Sequence, residues 1–275
     1  MLNYKKRKKY ILHNLKEVKT IEDRNKGILL ILLSALFFAM MAATVKFLGE
    51  MPVVQKIFFR NLVGVIVAFY ILRKKGRPLK GNNMKFILLR SLTGLLGIAN
   101  YFYALSKIYL ADAVILNKMS SFFVVILAAI FLNEKIRKPQ FIALVLAIVG
   151  AAFVIKPRFD YTVIPALIGL LSAILAGSSY TIIRYLKGSD YPETIVFYFA
   201  LISTLGTLPF MLSGGFVMPT FIEWIALLML GIFATTAQLL MTNAYHYAAA
   251  GELSIYSYAN IIFSTIIGLA VWGEI

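Results

Sequence analysis

The sequence predicts an all-α membrane protein, a polytopic bundle of helices that cross the bilayer several times. Hydrophobic residues make up 60% of the 275-residue chain and charged residues 15%, and the mean hydropathy is +0.82. A soluble domain does not need that much apolar surface to fill its core, so the surplus is expected to face lipid. Two further observations agree with this prediction: apolar runs of spanning length recur along the chain, and part of the chain repeats.

Nine apolar segments, each about 20 residues long and bounded by charges, Pro or Gly, predict nine transmembrane helices. They cover residues 27–48, 53–72, 84–106, 112–132, 138–156, 165–186, 193–212, 221–246 and 252–273. The connections between them are short, which leaves no room for a separate soluble domain.

The first 26 residues form a basic tail with nine Lys or Arg residues. About 22 apolar residues follow, which is longer than the hydrophobic core of a signal peptide. We therefore expect residues 1–26 to be a cytoplasmic tail and the first helix to be retained. A cleavable signal peptide is the alternative, because small residues between positions 35 and 43 offer a cleavage site.

The net charge of +16 lies in short runs between the apolar segments instead of on one basic face. Such a distribution predicts membrane topology and not nucleic-acid binding. Twenty Lys and Arg residues fall on the side of the N-terminal tail and three on the opposite side. This bias predicts an N-terminus in the cytoplasm and a multi-pass protein of the cytoplasmic membrane.

The sequence offers little material for catalysis or for metal binding. It has no Cys, which excludes disulfides and thiolate chemistry, and its two histidines, His13 and His246, are too far apart for a local metal motif. We therefore expect no enzyme activity, no metal and no cofactor.

The segment 111–135 is repeated at 251–275, with a constant offset of 140. Each copy begins with a small residue and a carboxylate, crosses about 20 mostly apolar residues, enough for one span, and closes with a glutamate, Glu134 or Glu274. Few positions are identical between the two copies, so this alignment alone is weak evidence.

Other features extend the repetition over the whole chain. LLSAL at 32–36 corresponds to LLSAI at 170–174, and Pro52 and Pro192 open corresponding helices. The first copy contains five helices, an odd number, so the second copy has to enter the membrane from the opposite face. The sequence thus predicts an inverted-topology repeat with a pseudo-two-fold axis in the membrane plane.

This repeat divides the chain into the tail, a first five-helix repeat at 27–157 and a second, inverted repeat at 165–275. Compared with the first repeat, the second stops after its fourth helix. We expect a truncated sequence whose natural form continues into a tenth helix, with a native nine-helix protein as the alternative.

Several patterns resemble a known family: FFR at 58–60 after a Pro, YFYAL at 101–105, and a fourth helix that runs from YLADA at 109–113 to a terminal Asn-Glu. They are similar to the drug/metabolite transporter superfamily, specifically its EamA-type members. The resemblance covers residues 27–275 and implies ten helices in two inverted five-helix repeats. Ser121 departs from the pattern, because these transporters often have a Pro there that breaks the helix.

The resemblance and the repeat together imply a secondary transporter. We expect it to move a small polar organic metabolite, an amino acid or a related anion or zwitterion, by rocking of the two repeats around a midplane site. The acidic residues lie near helix ends, which argues against proton coupling and favours uniport or exchange. The alternatives are a non-transport scaffold, a lipid-handling protein and a channel. The expected partners are a small-molecule substrate and the bilayer, with a homodimer as one open option.

Lys118 is the leading substrate-binding candidate. It lies about six residues into the fourth helix, inside a polar strip that is expected to face the bundle interior because lipid offers it no hydrogen bonds. Its counterpart in the second copy is Tyr258. The polar neighbours also assigned to the site are Asn117, Ser120, Tyr256 and Asn260. The alternatives for Lys118 are snorkelling towards the interface past Asp112 and a structural ion pair.

Arg60 lies deep in the second helix, where a protein partner or a water-filled cavity is expected. Arg90 is about 9 Å into the third helix, which leaves it within reach of the lipid headgroups. Buried positive charge favours a substrate with a carboxylate or phosphate. The remaining site candidates are polar residues in the middle of helices three, six and eight: Asn100, Tyr103, Tyr180, Gln238 and Asn243. Each is expected to bond another helix or to line a central cavity.

Overall fold

The computed structural model describes residues 2–136, 138, 141–142, 145–146, 149 and 163–273. Over these residues the only regular secondary structure is helical, which confirms the predicted all-α membrane bundle. The predicted fifth helix, at 138–156, falls largely outside the described residues.

Ten α-helices are described, numbered here in chain order. They are α1 Leu2–Phe47, α2 Val53–Lys74, α3 Met84–Lys107, α4 Leu110–Lys118, α5 Ser120–Leu132, α6 Val163–Tyr185, α7 Pro192–Phe210, α8 Phe221–Tyr247, α9 Ala250–Tyr256 and α10 Ala259–Trp272. A π-helical turn, Met211–Gly215, follows α7.

Seven helical segments in the described part are long and apolar enough to cross a membrane, and α10 is a shorter apolar helix. The first span continues the helix of the basic tail, so α1 is 46 residues long. Local chemistry fixes other helix starts. Pro192 occupies the first turn of α7, where its missing N–H costs nothing. Thr220 and Glu223 form a capping box that satisfies the first amides of α8.

The fourth predicted helix is interrupted in its middle. The sequence predicts one helix over 112–132, whereas α4 ends at Lys118 and α5 begins at Ser120. Met119, between them, has φ −57° and ψ −16°, and its N–H donates to the carbonyl of Leu116, three residues back, at 3.0 Å. One turn is thus tightened towards the 3₁₀ pattern. The predicted span agrees with the observed one, Asp112–Leu132, but one turn in its middle is tightened. The backbone of that turn stays within helical φ/ψ, so no proline is needed for it.

The same interruption occurs in the second copy of the repeated segment. The predicted helix at 252–273 is divided into α9 and α10 by Ser257 and Tyr258, each with φ −65° and ψ −18°. The hydroxyl groups of Ser121 and Ser257 form a hydrogen bond of 2.9 Å. Since α9 packs on α5 and α10 packs on α4, the two interruptions lie beside each other within the bundle.

Most helices pack against helices from the other end of the chain. The main pairs are α1 with α8, α3 with α6, and α2 with α7, and α5 and α10 pack on α6 and α1 respectively. In the predicted repeat, α1 corresponds to α6 and α3 corresponds to α8. The α1–α8 pair and the α3–α6 pair are therefore equivalent, and each joins one helix of either repeat. The two predicted repeats are therefore interlocked instead of standing side by side.

Two apolar clusters fill the bundle at different levels. One includes Phe102 and Leu230, and the other includes Ile87 and Met241, all at most 3% exposed. On α3 the first cluster thus begins near residue 98, and the second ends near residue 87. Polar residues occupy the level between them.

Close packing brings α6 against the interruption between α4 and α5. A Cβ at Gly177 would lie 2.6 Å from Cβ of Phe123 and 3.0 Å from the backbone oxygen of Ser120. Neither atom is the end of a flexible side chain, so only glycine fits at this contact.

We predict that Gly177→Ala destabilises the protein by about 1–3 kcal/mol, the usual cost of overpacking. The melting temperature of the detergent-purified protein measures the effect. Gly27→Ala is the matched control, because a Cβ there would make ordinary contacts of 3.4 Å with Ala248 and Tyr247. Equal melting temperatures for the two variants would contradict the close contact.

Candidate functional site

A cavity lies in the centre of the bundle, between the two apolar clusters and next to the interruption after α4. Its volume, counted as the space open to the centres of water molecules, is about 60 Å³, which is enough for several ordered waters. The polar residues described in its lining are Arg60, Arg90, Tyr101, Asn117, Lys118, Ser179, Tyr180, Gln238 and Asn260. They come from α2, α3, α4, α6, α8 and α10, so both ends of the chain contribute.

Half of the twelve residues assigned to a site from the sequence line this cavity. They are Lys118, Asn117, Arg60, Tyr180, Gln238 and Asn260. Ser120 lines a smaller adjoining space together with Lys118 and Tyr180. The interruption at Met119 explains this placement, because it sets the end of α4 against α6 and α10 in the middle of the bundle.

The structure places the other five assigned residues away from the cavity lining that is described. Asn100 and Asn243 instead donate to their own helices, to the carbonyls of Leu96 at 3.0 Å and Leu239 at 2.7 Å. An amide that bonds four residues back has no need of a partner on another helix. The three tyrosines Tyr103, Tyr256 and Tyr258 are half-buried outside the cavity.

Arg90 corrects an expectation from the sequence. Instead of reaching the headgroups it is 1% exposed and lines the cavity. Its guanidinium carbon lies 3.9 Å from the ring centroid of Phe199 on α7, and that of Arg60 lies 5.4 Å from the same centroid. One aromatic ring therefore provides cation–π contact to two buried arginines.

These contacts leave the arginines incompletely satisfied. Nη1 of Arg60 donates to Oδ1 of Asn61 at 2.8 Å. Nε of Arg60, and Nε and Nη1 of Arg90, are buried without a hydrogen-bond partner among the described residues. None of the described residues in the cavity lining is an acid. Burying cations in this way is costly, so the site has an unbalanced positive charge.

Two amide side chains of the cavity are held in fixed orientations. Nδ2 of Asn117 donates to Oγ of Ser172 at 3.1 Å, and that hydroxyl donates its own hydrogen to the carbonyl of Gly169 at 2.5 Å. Nδ2 of Asn260 donates to the carbonyl of Ala35 at 2.8 Å. In each residue one N–H of the amide is therefore used by the protein.

Ion pairs connect the chain at one end of the bundle. Glu193, at the start of α7 and 2% exposed, binds Nζ of Lys75 at 2.7 Å and also binds Arg77. Arg184 binds Glu134 at 2.9 Å. In the loop after α6, burial lowers the pKa of Lys187, and neighbouring Arg184 lowers it further. These pairs fasten the loop after α2 and the end of α5 to α7 and α6.

The EamA-like transporter family matches residues 25–156 and 163–275. The chain belongs to this family. That assignment confirms the resemblance seen in the sequence, and a family of transporters agrees with the expectation that the chain is not an enzyme.

Named relatives of this EamA-like transporter are also transporters. The pseudopaline exporter CntI of Pseudomonas aeruginosa (strain UCBPP-PA14) is 34% identical over 252 residues, which cover 90% of this chain and 88% of the relative. A riboflavin transporter of Brucella anthropi is 25% identical over 227 residues, which cover 80% of each chain. The chain is thus a multi-pass membrane transporter of a small metabolite.

A solved structure, titled "Crystal structure of protein", has the same fold as this EamA-like transporter. Its TM-score is 0.73 at 18% sequence identity, and the match covers 90% of this chain and 88% of the other. At this identity the likeness concerns the fold alone.

We predict that Glu193→Gln destabilises the transporter by about 1–3 kcal/mol, because the change leaves two cations without their shared carboxylate. Thermal unfolding in detergent measures it. Glu22→Gln, at an exposed position, is the control and should change the melting temperature little. A Glu193→Gln variant as stable as the control would show that this pair contributes nothing to stability.

Proposed function

We propose that this transporter carries a small polar organic metabolite with a carboxylate or phosphate group, such as an amino acid or a related anion, through the central cavity. The observation that carries the proposal is the convergence of Lys118, Arg60 and Arg90 on one cavity inside the bundle. Ionisable residues at membrane depth are costly and usually mark a substrate or ion pathway. Guanidinium and ammonium groups bind carboxylates and phosphates through charge-assisted hydrogen bonds.

The proposed substrate contacts are polar residues that line the central cavity. They are Lys118, Asn117, Arg60, Arg90, Tyr180, Gln238 and Asn260, with Ser120 in the adjoining space. Phe199 supports the two arginines from α7. Their position between two apolar clusters lowers the local dielectric and so strengthens their attraction for an anion.

Alternating access is the proposed mechanism, with moving units that differ from the two repeats. Each repeat packs against the other, which argues against rocking of either repeat as a separate body. The packing instead favours one unit around α1, α8 and α10 and another around α3, α5 and α6. The two interrupted helices lie where these units meet, so they are the natural points of bending.

The charges of the cavity favour uniport or exchange over proton coupling. A carboxylate at membrane depth is the usual proton carrier, and the described lining contains none. The asymmetry of Lys and Arg along the sequence supports a cytoplasmic N-terminus in the cytoplasmic membrane.

The alternatives make different structural demands. A channel needs a continuous pore, and a scaffold or a lipid-handling protein needs no polar space at the centre of the bundle. The small polar cavity that Lys118 lines supports a carrier over both.

We predict that Lys118→Ala abolishes counterflow uptake by the full-length protein in liposomes, while expression and melting temperature remain near those of the parent. A panel of amino acids, nucleotides and organic acids serves as substrate. Lys107→Ala is the matched control, because Lys107 is exposed at the end of α3, and its uptake should be unchanged. Normal uptake by Lys118→Ala would remove Lys118 from the site. No flux of any solute by the parent would contradict the proposed function itself.

A further inference from the structure

The charges that line the cavity all have one sign. Arg60, Arg90 and Lys118 contribute three cations, and the acids of the described chain do not reach the lining. We propose that the substrate is a net anion with two acidic groups and a neutral hydrogen-bond donor, and that zwitterions are rejected. This inference rests on the proposed function and narrows its substrate class: of the solutes named there it keeps the anions and excludes the zwitterionic amino acids.

Two positions for an acidic group follow from the arrangement of the cations. Arg60 on α2 and Arg90 on α3 form one unit, because both lie over the ring of Phe199. Lys118 forms the other, at the last residue of α4. It also lines the adjoining space beside Ser121 and Ser257, where neither arginine nor Phe199 takes part. The proposal assigns one acidic group of the substrate to each of these units.

Several hydrogen-bond donors of the arginine unit have no partner among the described residues. Both side chains are at least 96% buried, yet three of their nitrogens have no acceptor within the described chain. The cation–π contact with Phe199 offsets part of the cost of burial but provides no hydrogen-bond acceptor. An acidic group that enters the cavity supplies both the acceptors and the opposite charge, after a small rotation of the guanidinium groups.

A zwitterion fits this environment poorly. Its ammonium group would be close to three cations, with no described carboxylate in the lining to balance it. The low dielectric of the bundle interior strengthens that repulsion as much as it strengthens attraction for an anion. An amino acid should therefore bind more weakly than the same carbon skeleton without its amino group.

The amides predict the third feature of the substrate. Asn117 and Asn260 each use one N–H of the side-chain amide within the protein, so each has its carbonyl oxygen and one further N–H to offer. Ala35 provides a carbonyl that only accepts, which fixes the orientation of Asn260. A hydroxyl or amide N–H on the substrate fits these two acceptors.

Four-carbon acids test the proposal with one change at a time. Butanoate has one carboxylate, succinate has two, malate adds a hydroxyl to succinate, and aspartate adds an ammonium. The test measures their competition for counterflow and their effect on melting temperature in the full-length protein, since a ligand stabilises according to its affinity. We expect succinate to bind at least tenfold more tightly than butanoate or aspartate, and malate more tightly than succinate. The proposal would be overturned if aspartate or butanoate bound as tightly as succinate. It would also be overturned if succinate and malate changed neither counterflow nor the melting temperature.

Variants of Lys118 test whether the Lys118 unit and the arginine unit each bind one acidic group. Lys118→Gln should remove the advantage of succinate over butanoate and leave the affinity for butanoate within about twofold, because the arginine unit remains. Lys107→Gln, outside the cavity, should keep the full advantage. If Lys118→Gln weakens the binding of succinate and of butanoate equally, Lys118 does not hold a second carboxylate, and the proposal is wrong. A protein that transports zwitterions in preference to anions would keep the proposed function and lose this inference.

Discussion

Inside a membrane every backbone N–H and C=O group needs a partner within the protein, because lipid offers no hydrogen bonds. The two helix interruptions, at Met119 and at Ser257 with Tyr258, meet this constraint by tightening one turn, in which Met119 donates to Leu116 and Tyr258 donates to Ile255. They meet through the hydroxyls of Ser121 and Ser257, and the helices around them enclose the polar level between two apolar clusters. Lys118 ends α4 at this level, so the same feature that locates the cavity also delivers its ammonium group.

The arginine unit depends on this arrangement in a different way. Arg60 and Arg90 come from neighbouring helices, and the ring that supports both belongs to α7. Both arginines are thus brought to one ring, and burying two like charges is costly. The fold places positive charge in the centre of the bundle, with no carboxylate among the described residues of the cavity lining.

The sequence predicted the fold class because span length and composition are one-dimensional properties. Site residues are harder to predict, because they depend on which face of a helix meets the cavity. Asn100 and Asn260 look equivalent in the sequence, yet one bonds its own helix and the other bonds Ala35 across the bundle. Arg90 was missed because 9 Å is within the reach of a snorkelling arginine. The interruption at Met119 could not be located from the sequence, because no proline lies in residues 110–132.

The interlocked packing has a consequence for how this gene changes over time. A residue of α1 contacts α8, and a residue of α3 contacts α6, so each of the two family-matched segments forms the other's environment. Gly231 fits against Val63, and Phe199 supports arginines from the other segment. A substitution at one of these contacts changes the surroundings of the other segment, so the residues that one segment tolerates depend on the sequence of the other.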